Sequence, residues 1–207
     1  MQITDSSPHA TDAPRATARR QQILNAAAQC FREHGFHGAS IAQISKTAGM
    51  SAGHIYHYFE NKEAIIAAIV AQDLESLLTL TTELRAACNV RAALIERAAE
   101  GVAEQLDPIS AALKLEIVAE AARNPRVAQI VREADATCRS ELAVTIRAIR
   151  QAAGHDDSPA AVDEMVEILA SLFEGLQLRT IRNPALDRAR VAQRIQIAIN
   201  DLLDQPG

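Results

Sequence analysis

The chain has 207 residues, of which 48% are hydrophobic and 3% aromatic; this suffices for a packed core and, with few glycines and prolines, favours an all-α fold. The formal net charge is −5, but six basic and two acidic residues give residues 15–62 a charge of +4, so a polyanion-binding segment is joined to an acidic body. No apolar run reaches the roughly 18 residues of a membrane span and the first residues are polar, so we expect a cytoplasmic protein that does not contact a membrane.

The first predicted element is a long amphipathic helix. We expect residues 1–14 to form a disordered tail and the helix to run from about residue 15 to residue 34, where Gly35 ends it. Its apolar face consists of Ile23, Leu24, Ala27, Ala28 and Phe31.

Two short helices are predicted next. Ser40 and Gln43 have the spacing of a capping box, in which each side chain satisfies a backbone N–H of the first turn, so a helix begins there and ends at Gly49. Ser51 caps a second short helix that reaches about Tyr58. Both are too short to be stable alone, and we expect the longer helices on either side to support them.

This arrangement is typical of a helix-turn-helix with the second short helix as the recognition helix. The inward residues are predicted to be Ile41, Ile44, Ala48, Ile55 and Phe59. The outward residues are small or hydrogen-bonding groups, which suit a DNA major groove: Ala52, Gly53, His54 and His57. A protein-interaction scaffold built on the same three helices is the alternative.

The residues of this segment follow a detailed pattern. In order they include Ile23, Leu24, Ala27, Phe31, Gly35, Phe36, Ser40, Ile44, Ala48-Gly49-Met50-Ser51, Gly53, Ile55-Tyr56, Tyr58-Phe59 and Asn61-Lys62-Glu63. The pattern resembles the DNA-binding domain of the TetR family of bacterial repressors. The resemblance implies a homodimer of about nine helices per subunit, with an N-terminal helix-turn-helix domain over residues 15–62 and a C-terminal ligand-binding and dimerisation domain over residues 63–207.

The resemblance also implies roles for individual residues. Ser40 would contact a phosphate, and Ala52, Gly53 and His54 would face bases. The DNA backbone or groove edge would be gripped by Tyr56, His57, Tyr58 and Lys62. We include Gln43 and Ser51, which cap the two short helices, among the DNA-binding residues. Two alternatives stay open: Tyr56 as an aromatic at the rim of the core, and Lys62 as a solvated charge.

The second domain is predicted to be wholly helical. Asn61 can cap a helix from about residue 62 to residue 85. Four X-Pro pairs then place a capping residue before proline, and they predict helices beginning at about residues 108, 125, 159 and 185. The longest of these is expected to end at Gly154.

The last two helices carry apolar stripes wider than one packing partner requires, so we expect them to form the dimer interface. The residues nominated for it are Met165, Leu169, Leu172, Leu176, Ile195, Ile199 and Leu202. The alternative is that both stripes are buried within their own subunit.

A small-molecule effector is expected in the second domain. The residues nominated for its site are Leu113, Glu116, Ile117, Glu120 and Phe173. The two glutamates stand one turn apart and would suit a cationic ligand, although an ion-paired surface that includes Arg123 is the alternative.

No enzyme signature is present. The sequence has no phosphate-cradling glycine loop, no nucleophile elbow and no paired metal-ligand spacing, and we predict neither a cofactor nor a metal. The sequence therefore predicts a DNA-binding regulator of transcription, most simply a repressor that a small molecule releases from a palindromic operator. An activator or a ligand-independent regulator of the same fold is the alternative.

Overall fold

The computed structural model describes residues 12–205 and confirms the all-α fold. The described residues form nine helices, which are α1 (Asp12–Gly38), α2 (Ile41–Ala48), α3 (Ala52–Tyr58), α4 (Lys62–Ala86), α5 (Val90–Gln105), α6 (Pro108–Ala121), α7 (Pro125–Ala153), α8 (Pro159–Arg182) and α9 (Arg188–Asp204). Disorder is predicted for residues 1–14, of which residues 1–11 lie outside the described residues. Because α1 already begins at Asp12, the predicted start at residue 15 is three residues late.

The chain divides into two compact units, residues 1–69 and residues 70–207, which we call unit 1 and unit 2. The boundary lies within α4. A domain boundary after residue 62, at the first residue of that helix, stays a prediction.

Unit 1 is built around a small apolar core. Four of the five residues predicted to face inward from α2, α3 and the following turn are buried, and Ile41 is half-buried. Helix α2 packs against α1, and in the predicted apolar face of α1 Ile23 and Phe31 are at most 1% exposed. The backbone of α1 leaves helical geometry at Gly35, where φ is 70° and ψ is 166°, so α1 has a kink at the residue expected to end it.

The predicted caps of unit 1 are confirmed. The Gln43 backbone N–H donates to Ser40 Oγ at 3.1 Å while the Ser40 N–H donates to Gln43 Oε1 at 2.8 Å, which completes the capping box of α2. Gly49 ends α2 in the left-handed conformation with φ of 64°, and Ser51 Oγ accepts from the His54 N–H at 3.2 Å. The structure thus confirms the helix-turn-helix geometry that local residues predict.

Unit 2 is a bundle in which α5 packs along α9 while α6 packs against α7 and α8. The predicted helix starts at Pro108, Pro125 and Pro159 are confirmed, each with the preceding residue as N-cap. The start predicted at residue 185 is wrong. The Leu186 N–H donates to the Asn183 carbonyl at 3.1 Å in a turn, and α9 begins only at Arg188, where the Asp187 carboxylate accepts from the Arg190 N–H at 3.0 Å.

The residues nominated for a dimer interface lie mostly in the core of unit 2. Leu172 is half-buried and packs against that core, and the other six are at most 8% exposed: Met165, Leu169, Leu176, Ile195, Ile199 and Leu202. A side chain already buried within its own subunit has no surface left to lose on dimerisation. The structure therefore favours the alternative for these residues, because their apolar stripes pack against α5 and α7 as well as against each other.

Arg150 anchors the end of α9. Its side chain is fully buried, and its guanidinium donates to the carbonyl oxygens of Asp156, Leu203 at 3.2 Å and Gln205 at 3.0 Å. A cation that satisfies the last carbonyls of a helix also opposes the negative end of the helix dipole. Arg150 therefore joins α7 to the C-terminal end of α9.

Within the described residues, α4 alone is long and apolar enough to meet a composition test for membrane spans, with a mean hydropathy of 1.5 over 18 residues. Helices in the cores of water-soluble proteins meet the same test.

Candidate nucleic-acid interface and internal cavity

Helix α3 has one exposed polar face and one buried apolar face. Ile55 is fully buried beneath it, whereas Gly53, His54 and His57 are exposed and Ala52 is half-buried. This is the division that the sequence predicts for a recognition helix. The outward face has little bulk at its first turn, where Ala52 and Gly53 leave the backbone accessible.

Tyr56 is 55% exposed, which favours a surface role over one at the rim of the core. The rings of His54, His57 and Tyr58 form a cluster with centroids 5.3 to 6.5 Å apart. Contacts of this kind restrict the side-chain rotamers, so the cluster presents its ring nitrogens and the phenol hydroxyl with little entropy left to lose on binding.

The turn between α2 and α3 is held by α1. Gln22 Nε2 donates to the Ala48 carbonyl at 2.6 Å, and Cys30 Sγ lies 3.5 Å from Thr47 Oγ1. Because these contacts fix the end of α2, they also fix the position from which α3 starts.

Ser40 and Gln43 use their side-chain oxygens in the capping box. This leaves the amide NH₂ of Gln43 and the first free N–H groups of α2 as donors for a phosphate. Both residues stand at the exposed edge of α2, where the resemblance to the family places a phosphate contact.

Lys62 is engaged within unit 1. Its ammonium group donates to the Phe36 carbonyl oxygen at 2.5 Å and lies 4.3 Å from the centroid of the Phe36 ring. The side chain is half-buried, so it is not the solvated charge of the alternative interpretation. It links the start of α4 to the end of α1, and any phosphate contact would share an ammonium that already has a partner.

Other cations of unit 1 lie on the exposed surface of α1. Arg15, Arg19 and Arg20 are exposed, and the Arg20 guanidinium lies 5.2 Å from the Phe59 ring centroid next to α3. These side chains add positive charge to the unit that carries the recognition helix, as phosphate binding requires.

Unit 2 contains a cavity of about 350 Å³. Its walls come from α4, α5, α7 and α8, with Ile199 contributed by α9. The apolar lining is Leu77, Leu80, Leu84, Leu94, Ala98, Gly101, Leu142, Val166, Leu169, Ala170, Phe173 and Ile199. A mostly apolar cavity with a few polar groups is typical of small-molecule sites, and its volume is at the lower end of their range of roughly 300 to 1,000 Å³.

Of the residues nominated for the effector site, only Phe173 lines this cavity. The four on α6 do not: Leu113, Glu116, Ile117 and Glu120. Glu120 is 1% exposed, accepts a hydrogen bond from Asn124 Nδ2 at 3.1 Å and pairs with Arg123 at 3.5 Å. The Glu120 carboxylate therefore supports the connection between α6 and α7 and does not line this cavity.

The polar groups around the cavity form internal pairs. Arg97 pairs with Glu104 at 2.8 Å and also with Glu100, and Gln177 Nε2 donates to Gln105 Oε1 at 2.9 Å. Arg97, Glu100 and Glu104 share α5 at local spacings, which indicate an ion-paired face but not a cavity. Gln177 lies 72 residues from Gln105, so no local spacing marks that pair.

A second polar group lies where α7 and α8 meet the cavity. Arg139 pairs with Glu167 at 2.5 Å and lies 4.0 Å from Asp135. Partial burial and the neighbouring carboxylates of Asp135 and Glu167 raise the pKa of Glu174. Burial together with Asp135 likewise raises the pKa of the Cys138 thiol.

Across residues 12–205, no three His, Cys, Asp or Glu side chains are placed to hold a metal ion together.

Comparison with known families matches both units. Residues 23–69 match the family described as bacterial regulatory proteins, tetR family. Residues 92–204 match the family described as BetI-type transcriptional repressor, C-terminal. The second match alone covers more than half of the chain.

Individual proteins give the same result. The HTH-type transcriptional regulator UidR of Escherichia coli K12 is 36% identical over 136 residues, which cover 66% of this chain and 68% of UidR. The structure of Salmonella enterica GusR superposes with a TM-score of 0.75 at 31% identity, covering 91% of this chain and 96% of GusR. The structure of FadR from Bacillus subtilis in complex with stearoyl-CoA has a TM-score of 0.73 at 18% identity, covering 86% of this chain and 96% of FadR, and is similar in fold alone.

Proposed function

The chain belongs to the TetR family of bacterial regulatory proteins and is a DNA-binding regulator of transcription, not an enzyme; from this premise we propose that it is a homodimeric repressor released from its operator by a small molecule. The observation that carries the proposal is the exposed polar face of α3, held on the buried Ile55 by a capped, rigid turn. A dimer would place two such helices in successive major grooves, roughly 34 Å apart, so the operator would be a pseudo-palindrome.

Within each half-site, the phosphate contacts supply affinity and the base contacts supply sequence preference. The exposed arginines of α1 with Ser40, Gln43 and Tyr56 serve the first role. His54, at the centre of the exposed face and next to Gly53, serves the second, because an imidazole presents a donor and an acceptor to base edges.

We place the dimer interface at large apolar side chains that remain exposed in the subunit. Ile168, Leu178 and Ile181 on α8 and Ile197 on α9 are 44 to 53% exposed. Large apolar side chains that stay exposed on two neighbouring helices mark an interaction surface, and a second copy with the same helices would cover it.

The cavity of unit 2 is the proposed effector site. Its size and its apolar walls suit a small organic molecule, and FadR shows that a protein of this fold forms a complex with one. Helix α4 lines the cavity with Leu77, Leu80 and Leu84 and begins at Lys62, so a ligand that favours one position of α4 shifts the population away from the DNA-binding form. Operator DNA as the partner places the protein in the cytoplasm.

The experiment that tests DNA binding is a salt series by fluorescence anisotropy. The probes are the duplex upstream of the protein's own gene and a scrambled duplex of the same composition. Tight, selective binding with a steep salt dependence supports the proposal. Equal weak affinity for both duplexes, together with failure of a selection from random DNA, overturns it.

The effector site is tested by thiol labelling of the full-length protein. Cys138 lines the cavity and Cys88 is exposed, so they serve as reporter and internal control. A compound that releases the protein from DNA is expected to slow maleimide labelling of Cys138 and to leave labelling of Cys88 unchanged. Release from DNA with no protection of Cys138 would mean that the effector binds elsewhere.

A further inference from the structure

The charges around the cavity of unit 2 are unbalanced. Arg97 is paired with two carboxylates, those of Glu100 and Glu104. Arg139 also has two carboxylate neighbours, Asp135 and Glu167. The charge of each lining cation is therefore offset by carboxylates of the protein, although the buried Arg139 Nε has no hydrogen-bond partner.

Glu174 has no such neighbour. It lines the cavity, and among residues 12–205 no Lys, Arg or His nitrogen lies within 4.0 Å of its carboxylate. Partial burial, and then repulsion by the carboxylates of Asp135 and Glu167, raise the pKa of Glu174. Another cation near the cavity, Lys114, donates to Gln105 at 3.3 Å.

The aromatic ring of Phe173 lines the same cavity, one residue before Glu174. An aromatic face attracts a cation through its quadrupole, and a partly desolvated carboxylate attracts it more strongly than one in water. The remaining walls are leucine, isoleucine, valine and alanine, which favour an apolar body. The site thus combines one excess negative charge with an aromatic ring at the edge of an apolar chamber.

We infer that the effector is a cationic amphiphile, a compact amine or quaternary ammonium compound whose charged nitrogen lies against Glu174 and Phe173 while its apolar part fills the leucine-lined chamber. This inference rests on the proposed effector site and adds the chemical class of its ligand. The volume of about 350 Å³ limits the ligand to a compact molecule with one ring or a short chain.

The test is a charge series with constant shape. Binding of 4-phenylbutylamine, 4-phenylbutanol and 4-phenylbutyrate to the full-length protein is measured by isothermal titration calorimetry at pH 7. The amine is expected to bind about tenfold more tightly than the alcohol, equivalent to roughly 1.4 kcal/mol of added charge interaction, and the carboxylate more weakly than both.

Two variants with the same change in net charge separate the local effect from the general one. Glu174→Gln is expected to remove the advantage of the amine over the alcohol. Glu164→Gln, an exposed carboxylate on the same helix that does not line the cavity, is expected to retain it.

The inference is overturned if the alcohol or the carboxylate binds most tightly, if Glu174→Gln keeps the tenfold preference, or if none of the three compounds binds at millimolar concentration. DNA binding plays no part in this measurement. A failure here therefore overturns only the inferred class of ligand. The proposed regulatory function is tested separately, by the salt series and the thiol labelling.

Discussion

Gly101 leaves room for the ring of Phe173. A Cβ atom on residue 101 would lie 3.1 Å from Phe173 Cε1, closer than side-chain carbons normally approach one another. A glycine within a helix lowers the stability of the helix by about 1 kcal/mol relative to alanine. Helix α5 is therefore destabilised by this amount at the position where the Phe173 ring packs against it.

The variant Gly101→Ala is expected to push Phe173 into the cavity. Effector binding should weaken by about tenfold, the equivalent of roughly 1.4 kcal/mol, while the helix itself gains propensity and the thermal midpoint does not fall. Calorimetry with the best ligand of the charge series checks this. The double variant Gly101→Ala with Phe173→Leu should recover part of the affinity for ligands held by apolar contact, and unchanged binding in the single variant would contradict the assignment.

Lys62 is expected to have a structural role and an electrostatic role at once. Lys62→Met keeps the aliphatic stem but loses the hydrogen bond to Phe36 and the contact with its ring, so unit 1 should lose about 1 kcal/mol of unfolding free energy. Affinity for operator and for scrambled DNA should fall together, and the salt slope should decrease by about one. Lys46→Met, at an exposed lysine of α2, is the stability control. A variant as stable as wild type would show that the contact with Phe36 contributes nothing.

His54 is expected to govern sequence preference. His54→Ala should leave the affinity for scrambled DNA nearly unchanged and reduce discrimination at one base pair of each half-site by about 1 to 3 kcal/mol. A panel of operators with single substitutions measures the effect, with His34→Ala as the control on α1. Equal loss of discrimination in the Lys62→Met and His54→Ala proteins would contradict this division of roles.

The capping box of α2 gives a prediction with a built-in contrast. Ser40→Ala removes the acceptor for the Gln43 N–H and should lower the unfolding free energy of unit 1 by about 1 kcal/mol, whereas Ser40→Gly should cost only a few tenths. Chemical denaturation of the two variants measures both values. If both cost the same amount, the serine oxygen has no capping role.

Arg150 is expected to be essential for the packing of α9. Arg150→Met leaves the carbonyl oxygens of Leu203, Gln205 and Asp156 without their donor, which should lower the unfolding free energy by about 3 kcal/mol and speed hydrogen exchange in the last turn of α9. Arg147→Met, on the same helix, should change stability by less than about 0.5 kcal/mol. Similar losses in the two proteins would mean that charge, and not the buried hydrogen bonds, is responsible.

Local chemistry made much of this fold predictable. The caps at Ser40, Ser51 and Asn61 and the starts at Pro108, Pro125 and Pro159 depend on neighbours within four residues, so a single sequence reveals them. Asn183-Pro184 has the same pattern, but its backbone is satisfied in a turn while Asp187 caps α9, and short-range spacing does not distinguish the two outcomes.

The features that depend on distant contacts were not predictable. An apolar stripe shows that a face of α8 is buried, but it does not show whether the burying surface is α5 or a second subunit. The residues nominated for the interface pack within their own subunit. The cavity has the same origin. Its walls combine residues between 77 and 199, which no local spacing relates to one another. The spacing of Glu116 and Glu120 shows that two carboxylates share a face of α6, but it does not show that Asn124 is the partner of Glu120.

The attachment of α9 sets the order in which the chain can fold during its synthesis. Arg91, at the start of α5, pairs with Asn200 and Asp204, and Arg150 binds the carbonyls of Leu203 and Gln205. Asn200 and Asp204 follow Arg91 by 109 and 113 residues, so unit 2 closes its core only after α9 has left the ribosome. Unit 1 has its long-range partners within the first 69 residues and can fold while the rest of the chain is being made. The proposed recognition helix is therefore in place before the proposed effector site exists.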